Sequence, residues 1–148
     1  MNIVKEADIS APPEKVYEYL LDFRRHSEWT TPGHGVHITP DNEGATAVGS
    51  TFISEAHQFG SQRDRISVIE LSPNQRIVYE AAMKNGDTFR HTLELQPSER
   101  GTHLIKRFQT LKLSLVSKLT MPIAAVIAPK LLAGDVERIR AQLEKPIP

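Results

Sequence analysis

The sequence predicts an α+β fold in which a curved antiparallel sheet wraps around a long C-terminal helix, with two short helices after the first strand. Three observations carry this. The chain ends in an unusually apolar helical stretch, from about Ser114 to Lys145. Before it, from Val36 to Leu113, turn signals recur at regular intervals between strand-like segments, so consecutive strands join through short connections and pair antiparallel. After the first strand the apolar period changes from two residues to the helical 3.6. A curved sheet and a straight helix leave space between them, so this packing predicts an apolar pocket.

In the first strand Ile3, Lys5, Ala7 and Ile9 alternate with Asn2, Val4, Glu6, Asp8 and Ser10. Ser10, Pro12 and Pro13 then start a helix, since a proline N–H would have no partner in the first turn. Val16, Tyr17, Leu20 and Leu21 form its apolar face, and Phe23 to Trp29 reads as a second short helical piece ended by Thr31, Pro32, Gly33 and Gly35. Turn signals follow at Pro40–Gly44, Gly49, Phe59–Ser61, Ser72–Asn74, Asn85–Asp87 and Pro97–Gly101. Asn85-Gly86 predicts a type I′ hairpin. Parity places Ile77, Tyr79, Ala81 and Met83 on one face, and Phe89, His91, Leu93 and Leu95 on another. It also places Ile66 with Val68 and Glu70, Leu104 with Lys106 and Phe108, and Phe52 with Ser54, Ala56 and Gln58. In the last helix Leu132, Val136, Ile139 and Leu143 make an apolar stripe with Asp135, Glu137, Arg138 and Arg140 turned away. Leu115 to Ala128 is apolar nearly all round, and Pro122 and Pro129 predict a division into two helical pieces.

The chain of 148 residues is read as one domain, 1–148. Its 18 basic and 18 acidic residues cancel, which removes the global field that nucleic acid binding requires. It has no cysteine, so thiolate chemistry and disulfides are excluded. Lys5, Glu6 and Asp8 stand where a signal peptide needs an apolar core, and the expected location is cytoplasmic. The longest uncharged apolar run, Leu119 to Pro129, has 11 residues (129 − 119 + 1) against the roughly 18 a spanning helix needs, which leaves peripheral membrane contact.

The element order, Ile9-Ser10-Ala11-Pro12-Pro13-Glu14-Lys15-Val16-Tyr17, Asp22-Phe23 through Trp29, Val68 to Pro73 leading to Arg76-Ile77-Val78-Tyr79, the Gly101-Thr102 turn and Asp135 to Ile139 together resemble a known family. The chain is similar over essentially its whole length to the START-like (SRPBCC) superfamily, in its polyketide cyclase/dehydrase-like branch. The resemblance implies a helix-grip fold with an apolar cavity between sheet and helix. Its motifs serve turns and packing and leave the chemistry open.

Three polar residues stand on predicted inward faces: Glu70, His91 and Lys106. Desolvation there raises a carboxylate pKa and lowers that of histidine or lysine, which suits general acid–base catalysis or the anchoring of a ligand's polar end. The plainer alternative is charges snorkelling to the cavity rim and a hydrogen-bonded core histidine. Tyr79, Met83, Phe89 and Phe108 from the sheet, with Met121, Val126, Ile127 and Leu132 from the helix, are the expected ligand-binding residues. Trp29 is expected to close one end of the sheet. The spread of His26, His34, His37, His57 and His103, without a metal-binding motif, predicts no metal site and no cofactor. The leading expectation is binding of a small hydrophobic ligand (lipid, isoprenoid, polyketide or aromatic) by a monomer or homodimer. The alternatives are a cyclase or dehydratase using His91, Glu70 or Lys106, and a regulator whose Leu115–Ala128 segment docks on a partner or a membrane.

Overall fold

The computed structural model describes residues 1–30, 36–56 and 62–146. The predicted break at Thr31–Gly35, the turn at Phe59–Ser61, and the residues His34, His57 and Gln58 lie wholly or partly outside them. The strands are β1 (Asn2–Ile9), β2 (His37–Pro40), β3 (Thr51–Ala56), β4 (Gln62–Ser72), β5 (Arg76–Met83), β6 (Thr88–Ser98) and β7 (Gly101–Lys112). They form one curved antiparallel sheet in the order β1-β7-β6-β5-β4-β3-β2. Helix α1 (Pro13–Leu21) and a 3-10 helix (Phe23–Glu28) follow β1, and α2 (Leu115–Leu143) follows β7. This is the α+β, helix-grip-like arrangement that the sequence predicts.

The concave face carries the core. Ile9, Val16, Leu20, Phe23, Trp29, Ile77, Tyr79, Leu93 and Leu104 bury together with Val136 and Ile139 of α2. The opposite face carries ion pairs, Arg90–Glu80 at 2.7 Å, Arg107–Glu94 at 3.8 Å and Arg76–Glu70 at 3.4 Å, and Glu70 and Glu94 are the cross-strand partners of the buried Val78 and Ile105.

Three local predictions need correction. The hairpin at Asn85-Gly86 exists, but of its residues only Gly86 has positive φ, +93°. Gly86 N–H donates to the Met83 carbonyl and Met83 N–H to the Asp87 carbonyl, which makes a type I turn over Lys84-Asn85 with Gly86 as the bulge residue. The β4 register shifts between Val68 and Glu70, so Glu70 pairs with Val78 and turns outward while Leu71 takes the inward position. Finally, α2 is one continuous helix through Pro122 and Pro129. Each proline frees the carbonyl four residues earlier, on Lys118 and Ala125, and both of those residues are exposed, so water can take the bonds the prolines cannot make.

Both ends of α2 are pinned. At the start Asp87 accepts from Ser114 N–H at 2.7 Å and from the Ser117 hydroxyl, while Ser114 Oγ accepts from Ser117 N–H. Burial raises the Asp87 carboxyl pKa, and the bonds from Ser114, Ser117 and Asn85 outweigh it, so the net shift is below the usual range. Toward the far end Arg138 Nε donates to the Trp29 carbonyl at 2.8 Å, and Glu144 accepts from Ser10 N–H at 2.8 Å.

Gly101 opens β7 at φ +138°, and a Cβ there would stand 2.6 Å from the Ala11 carbonyl oxygen and 2.8 Å from both Ala11 N and the Ile9 oxygen. Gly101→Ala is therefore expected to cost at least about 2 kcal/mol, because backbone on both sides has to move. Urea denaturation checks this; an unchanged midpoint would show that the β1–α1 junction yields freely.

Candidate functional site

Antiparallel pairing sets residues remote in sequence in a row across the concave face. Tyr79 of β5 lies opposite His91 of β6, and His91 lies opposite Phe108 of β7. The His91 ring stacks on Tyr79 at 4.7 Å with planes 6° apart and meets Phe108 edge-on at 5.1 Å. Phe89 stacks on Phe108 at 5.1 Å. Two residues before Phe108 on the same face, Lys106 brings Nζ to 3.2 Å from His91 Nδ1 and 5.3 Å from the Trp29 ring centre. Lys106 is only 2% exposed. Lys5 of β1 stands opposite it in register and is half-buried.

Burial lowers the Lys106 pKa to about 8, although nearby Asp135 pulls it upward. Burial also holds His91 well below its ordinary value, with Lys106 and His26 adding to the shift. His26 is stacked on Phe23 and its Nε2–H donates to the Leu20 carbonyl at 2.7 Å; burial takes it down to about 3. Both imidazoles are neutral near pH 7, so His91 Nδ1 is an acceptor for the Lys106 amine.

Among the described residues the cluster holds more hydrogen-bond donors than recorded acceptors for them. The Lys106 ammonium has three N–H groups, and among the described residues one bond is formed, to His91. The buried Trp29 Nε1–H has no acceptor among them. The nearby carboxylate, Asp135, is engaged by Arg138 Nη2 at 2.7 Å. A buried donor without a partner costs about 1–3 kcal/mol, so the cluster favours an incoming oxygen acceptor.

The first half of α2 offers little bulk on its inward side. Its inward stripe in the first half is Ser117, Met121, Ala124 and Ala128, all half-buried, and Leu132 at 8% exposure begins the packed half. The closest packing of α2 is on β1 and the 3-10 helix. Met83, Phe89, His91 and Phe108 accordingly remain only half-buried. The large rings of this row are thus incompletely covered on the concave face.

The structure brings Tyr79, Phe89, His91, Lys106 and Phe108 together, and it places Met83, Met121 and Leu132 on the inward faces. It turns Val126 and Ile127 outward, 65% and 50% exposed, because five residues of helix rotate Val126 ~140° from Met121. Glu70 is removed from the site by the β4 bulge and pairs with Arg76 at 3.4 Å on the surface. Asp135, expected in solvent, is 5% exposed and inward. Its position three residues after Leu132 and four before Ile139 is the helical signal that identifies it. Lys5 is legible from β1 parity; His26 carries no comparable signal.

Two open surface depressions, one beside Leu21, Phe23 and Phe52 and one around Glu70 and Arg76, include neither His91 nor Lys106. Among the described residues no group of three or more His, Asp or Glu converges as a metal site.

The sequence model of one family, described as polyketide cyclase / dehydrase and lipid transport, matches residues 1–146. Among solved structures the chain is similar to protein CV1439 from Chromobacterium violaceum, at 22% identity over 98% of this chain and 99% of that one, TM-score 0.73. It is also similar to a protein from Thermus thermophilus, TTHA0849, at 15% identity over 97% of each chain, TM-score 0.74. A third is the Aha1 dimer from Colwellia psychrerythraea, at 20% identity over 97% of this chain and 96% of that one, TM-score 0.65. These likenesses show a shared fold. Among curated proteins no sequence matches significantly.

Proposed function

Because the chain belongs to the polyketide cyclase/dehydrase and lipid-transport family, we propose that it encloses a small, largely apolar molecule between β5–β7 and the first half of α2. An oxygen acceptor on that molecule, a carboxylate or carbonyl, would be set against Lys106. The observation that carries this reading is the enclosed surplus of donors, Lys106 and Trp29 Nε1–H, at the edge of a floor of incompletely covered rings. Apolar burial supplies affinity at roughly 25 cal/mol per Å². The polar contact fixes orientation.

Native mass spectrometry of gently purified protein is expected to show a bound apolar molecule. An alkyl carboxylate is expected to raise the melting temperature more than the amine of the same chain length; at a hundred times Kd the stabilisation is about 2.7 kcal/mol. Preparations that are always empty, together with no response to either probe, would remove the binding reading.

The contact between Lys106 and His91 at 3.2 Å, with the lysine pKa at about 8, supports a second reading as a cyclase or dehydratase. In it Lys106 delivers a proton to the substrate oxygen and His91 holds the amine in place. Turnover that survives both Lys106→Met and His91→Ala would dispose of it.

A further inference from the structure

The outer face of α2 presents the reverse of an ordinary surface helix. Leu115, Val116, Leu119, Ile123, Val126 and Ile127 are 50–77% exposed, and Leu131 continues the face at 40%. The inward positions between them are the small Ser117, Ala124 and Ala128. A helix whose outer side met only water would carry polar residues there, and a contiguous apolar stripe of this size marks an interaction surface.

The charges identify its partner. Between Glu99 and Asp135 the chain has no acidic residue. Four exposed lysines surround the stripe. Lys118 and Lys130 lie on α2, Lys112 ends β7, and Lys84 precedes Asn85, whose amide reaches Ser117 at 3.4 Å. A second copy docked through the same patch would bring these lysines against one another, with no acidic residue on α2 before Asp135 to receive them. An anionic lipid surface receives them all, each worth about 1 kcal/mol near the headgroups.

By length and composition α2 is long and apolar enough to cross a membrane. Its attachment dictates a different pose. Leu132, Val136 and Ile139 are in the core and Ser114 is bound to Asp87, so only one side of the helix is available to lipid. We infer that the outer face of α2 from Leu115 to Leu131 docks on an anionic membrane, lying in the plane of the interface with its leucine, isoleucine and valine side chains among the upper acyl chains. The inference stands on the outer face and does not depend on the ligand-binding reading proposed above.

Flotation with vesicles of phosphatidylcholine, with and without phosphatidylglycerol, tests it. The intact chain is expected to bind the phosphatidylglycerol vesicles preferentially and to be released by salt. Leu119→Asp and Ile123→Asp should each weaken partitioning tenfold or more, at unchanged melting temperature because both residues are exposed. Lys118→Gln and Lys130→Gln should each weaken it about fivefold. Absence of binding to phosphatidylglycerol vesicles would overturn the inference, as would binding unaffected by the aspartate variants. Sedimentation velocity supplies the remaining outcome: a dimer dissociated by Ile123→Asp, without vesicle binding, would assign the face to a second copy and overturn it equally.

Discussion

Lys106→Met is expected to unfold at a higher temperature than the wild type at pH 7 while losing its preference for acidic ligands. The wild-type lysine has its pKa lowered to about 8 by burial. In the unfolded chain it returns to about 10.4. Below pH 8 both states hold the proton, and the folded state bears the full cost of an enclosed charge. Between pH 8 and about 10.4 the unfolded state binds more protons, so stability rises with pH across that window. A shift of this size corresponds to about 3 kcal/mol at neutral pH, and methionine, of similar length and without charge, removes the cost. Chemical denaturation at pH 7 and pH 10 measures both the gain and the disappearance of the alkaline rise. A less stable variant at pH 7 would mean that the contacts with His91 and Trp29 outweigh desolvation.

Lowering the pH from 6.5 to 4.5 is expected to remove at least about 2 kcal/mol of the protein's stability. His26 has its pKa depressed to about 3 and His91 well below its ordinary value, both by burial. A base depressed in the folded state contributes stability that is complete above the unfolded pKa, near 6.5, and is lost as the pH falls toward the folded value. Each histidine gives a limiting slope of about 1.4 kcal/mol per pH unit. His26 alone removes roughly 2 kcal/mol over this range, a sizeable part of the stability of many domains, and His91 adds to the loss in the same direction. Denaturation midpoints read across this range, with His26→Gln and His91→Gln each flattening the slope, provide the check. A flat profile above pH 4.5 in the wild type would show that the rings take up protons in place, with water reaching them.

The site's central row was legible in the sequence because β5 and β6 keep strict alternation beside one hairpin. Tyr79, Phe89 and His91 therefore had to share a face once Asn85-Gly86 marked the turn. The turn's identity was not legible, since the same dipeptide serves a type I′ turn or, one residue displaced, a type I turn with a bulge. Glu70 failed for a related reason: the extra residue in β4 is specified by its pairing with β5, and nothing in Val68-Ile69-Glu70 announces it. The prolines of α2 mark a break by propensity, and exposure of Lys118 and Ala125 overrides that tendency. Asp135 was legible by helical spacing but was assigned by its charge, and the arginine that makes its burial tolerable is three residues further on.

The attachment of α2 makes the helix a beam supported at its two ends. One support is the Asp87 bracket at Ser114; the other is the core seat from Leu132 onward. The unsupported span between them contains both prolines, and each deletes one of the internal bonds that give a helix its bending stiffness. The helix is thus held at its two ends rather than along its length, and both missing bonds fall in the stretch between the holds.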